Sequence, residues 1–233
     1  MTALKLSTMK KLLVLALLGG LLGSQQCLAD SVNVTQNGGY FNDGGGEFTI
    51  TDPPSDPFFD AVYANYAAVA TLNGGFQTFC ISTSIHVLNG GNSLNAILDP
   101  HGIAVGTAWL YAMFAMGTLP DYNYDGSDLP FSNPNSRGAS AYQLQNAIWE
   151  LQGQSFDPNQ AAFYVGLAVA GFGSFEAASA LAVGPVDGLS MTFSGSDSQP
   201  MLAFVGAPDS GATLTLLGLG LGCLAAFSRR FRS

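Results

Sequence analysis

The sequence predicts an α+β domain with a β-sheet or sandwich-like core and a central helical segment. Two observations carry this: apolar and polar residues alternate in segments on either side of the middle, and the middle has apolar residues at helical spacing. The order strands, helices, strands contains no internal repeat and fits one domain over residues 30–206, about 180 residues and enough for a real core.

"SVNVTQN" (31–37) and "GEFTITD" (46–52) alternate like strands, and "NGGYFNDGGG" between them reads as a hairpin loop. "DPPSDPFFD" reads as a proline-rich break. "YANYAAVATL" and "FQTFCISTSIHVL" then read as two strands joined by "NGG", which places Cys80 inside a strand. Helical spacing runs through Gly102–Leu119, Ala139–Gly153 and Pro158–Gly171, the last with proline where a helix tolerates it best. After "VGPVDG" the chain returns to strands at "LSMTFSG" and "PMLAFVG".

The two ends read differently from the domain. Lys5, Lys10 and Lys11 precede "LLVLALLGGLL" and the small-residue site "CLA" ending at Ala29, the pattern of a signal peptide over 1–29 that would take Cys27 with it. The apolar run Ala212–Phe227 is followed at once by Arg229, Arg230 and Arg232, which predicts a transmembrane helix stopped by cytoplasmic arginines.

All 16 carboxylates fall between Asp30 and Asp209, where Arg137 is the sole Lys or Arg. So acidic a surface argues against nucleic acid or anionic lipid as a ligand of the domain, since both require clustered cations. Cys80 is the sole cysteine of the exported part, so no internal disulfide forms. Its thiol is buried and inert, paired with another chain, or chemically committed.

The chain carries few marks of conventional chemistry. His86 and His101 stand in no metal or catalytic spacing, and neither a phosphate loop nor a dinucleotide fingerprint is present, so no cofactor and no turnover enzyme are expected. Asp121, Asn123, Asp125 and Gly126 have the opening spacing of a calcium loop, but its twelfth position is Ser132 rather than Glu. A solvated turn within the long polar stretch Leu119–Gly138 is the competing reading.

Gln145 is the misfit. Winding the helix at about 100° per residue sets Ala141, Tyr142, Leu144, Ala147, Ile148, Trp149 and Leu151 on one arc and Gln143, Asn146 and Glu150 opposite. Gln145 projects inside the apolar arc, where an unpaired amide costs on the order of 1–3 kcal/mol, so it needs a partner. Gln152 shares the arc, but Gly153 ends the helix beside it and lets its head reach water.

The tail "APDSGATLTLLGLGLGCLAAFSRRFR" (207–232) resembles the PEP-CTERM class of sorting signals, in its VPDSG variant, with Ala207 in place of the usual Val. The resemblance implies an exosortase-like transpeptidase as partner, for which Pro208, Asp209, Ser210 and Gly211 would be substrate residues. Residues 207–233 would then be a sorting signal, and the protein would pass from the membrane to the cell surface or its exopolysaccharide matrix.

"FCIS" at Cys80 and "LQNAIW" at Gln145 resemble bacterial surface thioester domains, which pair a strand cysteine with a Gln-x-Ala-Ile-Trp helix. That resemblance implies an internal Cys80–Gln145 thioester, shielded by Phe79, Tyr142 and Trp149, that captures a surface amine or hydroxyl. The residues also permit a plainer reading, in which Cys80 is a core cysteine and Gln145 hydrogen-bonds a strand. The protein would then be a non-covalent structural component of the matrix.

Overall fold

The computed structural model describes residues 30–42, 45–51, 57–84, 93–99, 102–125, 133–182, 186–193 and 196–205. The leader, His86, His101, Gly126, Ser132 and the whole sorting tail with Arg229, Arg230 and Arg232 lie outside the described residues. Among the described residues no helix is long and apolar enough to cross a membrane.

Strands β1 (Asp30–Asn42), β2 (Gly45–Thr51), β3 (Thr71–Leu72), β4 (Gly75–Thr78), β5 (Ser93–Asp99), β8 (Val186–Phe193) and β9 (Ser196–Phe204) form one sheet. Its order is β3-β4-β2-β1-β5-β8-β9, and each pairing is antiparallel. β6 (Ile103–Ala104) and β7 (Leu181–Ala182) make a separate ribbon. The helices are α1 (Pro57–Tyr63), α2 (Val105–Ala115), α3 (Arg137–Leu151), α4 (Pro158–Phe172) and α5 (Phe175–Ser179). The α+β class is as expected, with one main sheet rather than two facing ones.

That sheet closes on itself. β9 meets the residues just past β4: Leu202 N–H donates to Phe79 O at 3.1 Å, Ile81 N–H donates to Pro200 O at 2.9 Å, and Cys80 bridges Met201. Where β4 and β9 splay apart, hydroxyl groups replace the ladder. Thr78 Oγ1 donates to Leu202 O at 2.6 Å, and the Tyr111 hydroxyl lies 2.9 Å from Gln77 O and 3.1 Å from Leu202 O. With Tyr111 donating to a carbonyl, Tyr66 donates to Tyr111 across 2.8 Å and accepts Phe204 N–H at 2.7 Å. Each of these three buried hydroxyls therefore has a partner, which such groups require. Around it, Phe48, Ile50, Phe79, Leu110, Phe114, Leu144, Ile148 and Met201 fill the core.

Several elements differ from the sequence reading. The expected hairpin loop is mostly strand, because β1 continues to Asn42 and pairs Phe41 with Gly46 after an irregularity. The proline-rich break and the expected strand after it hold α1 and a 3₁₀ turn at Ala68–Ala70, leaving only Thr71–Leu72 extended. The reason is the spacing of Phe59, Tyr63 and Tyr66, which is helical rather than alternating. Phe59 stacks on Tyr63 and on Phe76, and Tyr66 stacks on Phe76 with ring centroids 4.8 Å apart. β5 had no counterpart in the sequence reading.

The hydroxyl relay gives a test of closure. Tyr66→Phe removes the group that serves both Tyr111 and Phe204 N–H. It should cost about 1–3 kcal/mol, the penalty for a buried polar group left unpaired, measured as a shift in the urea midpoint with the slope unchanged.

Candidate functional site

Cys80 sits at the closure, with two of its neighbours' backbone groups facing β9 and its own facing away. Extending the β2–β4 register, in which Phe48 pairs with Thr78 and Thr49 with Gln77, would set Gly46 opposite Cys80. β2 does not follow that path. Gly45 (φ 105°) and Gly46 (φ 151°) take backbone conformations that favour glycine, and they turn the start of β2 away while keeping it paired to β1.

The Gln145 side chain fills the slot this leaves. Its Oε1 accepts Cys80 N–H at 2.9 Å and its Nε2 donates to Cys80 O at 2.8 Å. The amide thus stands in for a strand, making both bonds that Cys80 would have exchanged with β2. Gln145 and Cys80 are both buried. The slot is tight: a Cβ on Gly45 would lie 2.5 Å from Gln145 Cγ and 2.7 Å from the tip of the Trp149 ring.

The thiol is apolar in its surroundings. Cys80 Sγ lies 3.9 Å from Met201 Sδ, and burial pushes the thiol well above the ordinary cysteine range, so it stays protonated. The predicted pocket residues divide. Trp149 lies beside Gln145 over Gly45, half-buried, and its indole N–H is buried with no partner among the described residues. Tyr142 is half-buried one turn before Gln145 on α3. Phe79 turns its ring edge-on to Tyr111 and Phe114 in the core.

An ion pair that the sequence reading did not single out lies on the same two elements. Arg137 and Glu47 are buried and joined by two parallel bonds, Nε to Oε1 at 2.8 Å and Nη2 to Oε2 at 2.9 Å. Arg137 Nη1 donates to Tyr124 O at 2.8 Å, Tyr122 OH donates to Glu47 Oε1, and the guanidinium lies over the Tyr40 and Tyr124 rings. Burial alone would lower the Arg137 pKa, but the bonds to Glu47 and its charge outweigh that and raise it. Burial, with the Glu47 charge second, lifts the Tyr122 phenol well above its usual range. The sequence signal was Arg137 itself, a lone cation among carboxylates; its partner, 90 residues away, had none.

Two polar residues of α3 also differ from expectation. Asn146, placed on the solvent side, is buried: Nδ2 donates to Tyr142 O and Oδ1 accepts Asp157 N–H at 2.7 Å, because α4 covers that face. Gln152, expected to reach water, accepts Ala104 N–H at 2.8 Å and ties β6 to the end of α3. In the candidate calcium loop, Asn123 Oδ1 accepts Asp125 N–H and its amide donates to Asn135 O, while Asp121 and Asp125 are exposed. Among the described residues, no three His, Cys, Asp or Glu side chains gather as metal ligands.

Residues 208–231 match the VPDSG-CTERM motif, which supports export and handling by a sorting machinery. No curated protein and no solved structure matches the chain. No match supports the thioester resemblance, which rests on the two short motifs alone.

Gly45→Ala tests the slot. It adds backbone strain of about 1–3 kcal/mol at a positive φ and drives a methyl group into Gln145. Gly38→Ala on β1, with nothing within 4 Å, should leave the unfolding midpoint nearly unchanged.

Proposed function

We propose that this is an exported surface or extracellular-matrix protein, delivered by its sorting tail, that attaches covalently to a nucleophile through a Cys80–Gln145 thioester. It acts once per molecule rather than as a turnover enzyme. The observation that supports this most directly is the pairing of the Gln145 amide with the Cys80 peptide, in a buried slot formed by residues 65 positions apart.

The chemistry suits the arrangement. Attack of Cys80 Sγ on Gln145 Cδ forms the C–S bond and places negative charge on Oε1, which already accepts Cys80 N–H. Collapse breaks the Cδ–Nε2 bond, and ammonia leaves with the thiol proton. The protonated, apolar thiol makes this step slow, and burial of the product protects it from water. An amine or hydroxyl that enters would take the acyl group and return the thiol, with Cys80 as leaving group. The exported segment contains no lysine that could react first.

Delivery would use an exosortase-like transpeptidase cleaving near Pro208–Gly211, with Ala212–Phe227 held in the membrane and Arg229, Arg230 and Arg232 on the cytoplasmic side. Co-expression with such an enzyme should remove the residues after about Asp209, seen as a loss of the tail by mass. Release of the same fragment without the enzyme would argue against this route.

The second reading is a non-covalent structural protein of the exopolysaccharide matrix, in which Gln145 only completes the hydrogen bonding of Cys80, and the buried, protonated thiol favours it. Mass separates the two. A thioester expels ammonia, so the fresh exported domain (30–206), in which Cys80 is the sole cysteine, should weigh about 17 Da less than its sequence and show no thiol on unfolding. Methylamine should restore a titratable Cys80, and Cys80→Ala should abolish both effects. Full sequence mass with a thiol that titrates on unfolding would rule out covalent capture and leave the structural reading.

A further inference from the structure

The Glu47–Arg137 pair is out of place as a source of stability. Two buried ions recover little more than the cost of leaving water, and an apolar pair of similar size commonly holds a fold as well. A cation in the first turn of α3 also faces the positive end of the helix dipole. What a forked pair supplies is direction, because two parallel bonds between a guanidinium and a carboxylate allow one relative placement.

That placement bears on Gln145. Glu47 lies two residues past Gly45, which packs on the Gln145 stem, and Arg137 begins the helix that carries Gln145. β2 leaves the β4 register beyond Phe48, although the Cys80 N–H and C=O would be natural partners for Gly46. The amide of Gln145 and the backbone of β2 therefore compete for the same two bonds. The strand has the advantage of continuing a ladder already formed, and something must hold it off.

We propose that the Glu47–Arg137 clamp is the positioning device that pins the start of β2 to α3 and so keeps the slot beside Cys80 open for Gln145. Tyr122 on Glu47, and Tyr40 and Tyr124 against the guanidinium, hold the two side chains in that geometry. Glu47 and Arg137 are positioning residues, acting through Gln145. The consequence for bond formation rests on the thioester reading; the placement of Gln145 does not.

The test is a cycle in the full chain between the apolar swap Glu47→Leu/Arg137→Met and Gln145→Ala. Gln145→Ala alone should raise the unfolding equilibrium constant about tenfold or more, since it leaves two buried backbone groups unpaired. In the swapped background it should change that constant less than about twofold, because β2 has already taken those groups. An equal factor in both backgrounds overturns the proposal. If the swap fails to fold, Arg137→Lys, which retains the charge and loses the fork, carries the same cycle. Intact mass adds a second readout: swapped protein that folds with a midpoint near wild type should lack the ammonia deficit, and retention of the deficit also overturns the clamp. If wild type itself has full sequence mass, the thioester reading fails by itself and the cycle still decides the placement.

Discussion

The two hydrogen bonds between the Gln145 amide and the Cys80 peptide are the interaction on which the rest of the domain depends. A sheet that closes on itself must end its last ladder somewhere, and here it ends at Cys80, whose neighbours bond to β9 while its own groups face a gap. A buried N–H and C=O without partners would each cost about 1–3 kcal/mol, a large part of a typical domain's stability. A helix side chain fills the gap, so α3 is joined to the closing seam by polar bonds as well as by packing. The glycines at 45 and 46 turn β2 aside at that junction, and the hydroxyl relay of Tyr66 and Tyr111 bridges the other side of the seam, between β4 and β9.

The same junction bears on chemistry. A thiol held neutral by burial is a poor nucleophile, and no base reaches it in the contacts of Cys80 described above. What the site offers instead is a hydrogen-bond donor on the amide oxygen, which would stabilise charge there without ionising the sulfur. On the proposed reading, bond formation at such a site is a slow maturation step that happens once.

Sequence reasoning reached this site through a conflict. Gln145 violated the apolar arc of its helix, and local rules are broken most informatively where a long-range contact makes up the loss. It missed what has no local trace: that Glu47 receives Arg137 from 90 residues away, that α4 buries Asn146, and that β5 pairs between β1 and β8. α1 escaped because prolines and aspartates dominate its approach, although the helical spacing of Phe59, Tyr63 and Tyr66 was present in the chain. Motifs and misfits were therefore legible, while partners supplied by tertiary structure were not.

β9 ends at Phe204, and the sorting motif begins at Pro208, so cleavage by a transpeptidase would act only a few residues from the strand that backs Cys80. A chain anchored or pulled at that end loads β9 first. Phe204 is held from two sides, by its pairing with Val186 and by its N–H on the Tyr66 hydroxyl, and Tyr66 passes the link to Tyr111 and the β4 carbonyls. The hydroxyl relay thus does for β9 what Gln145 does for β4: it replaces ladder bonds where the strands diverge, and it ties the exit of the chain to the core rather than to the edge of a sheet.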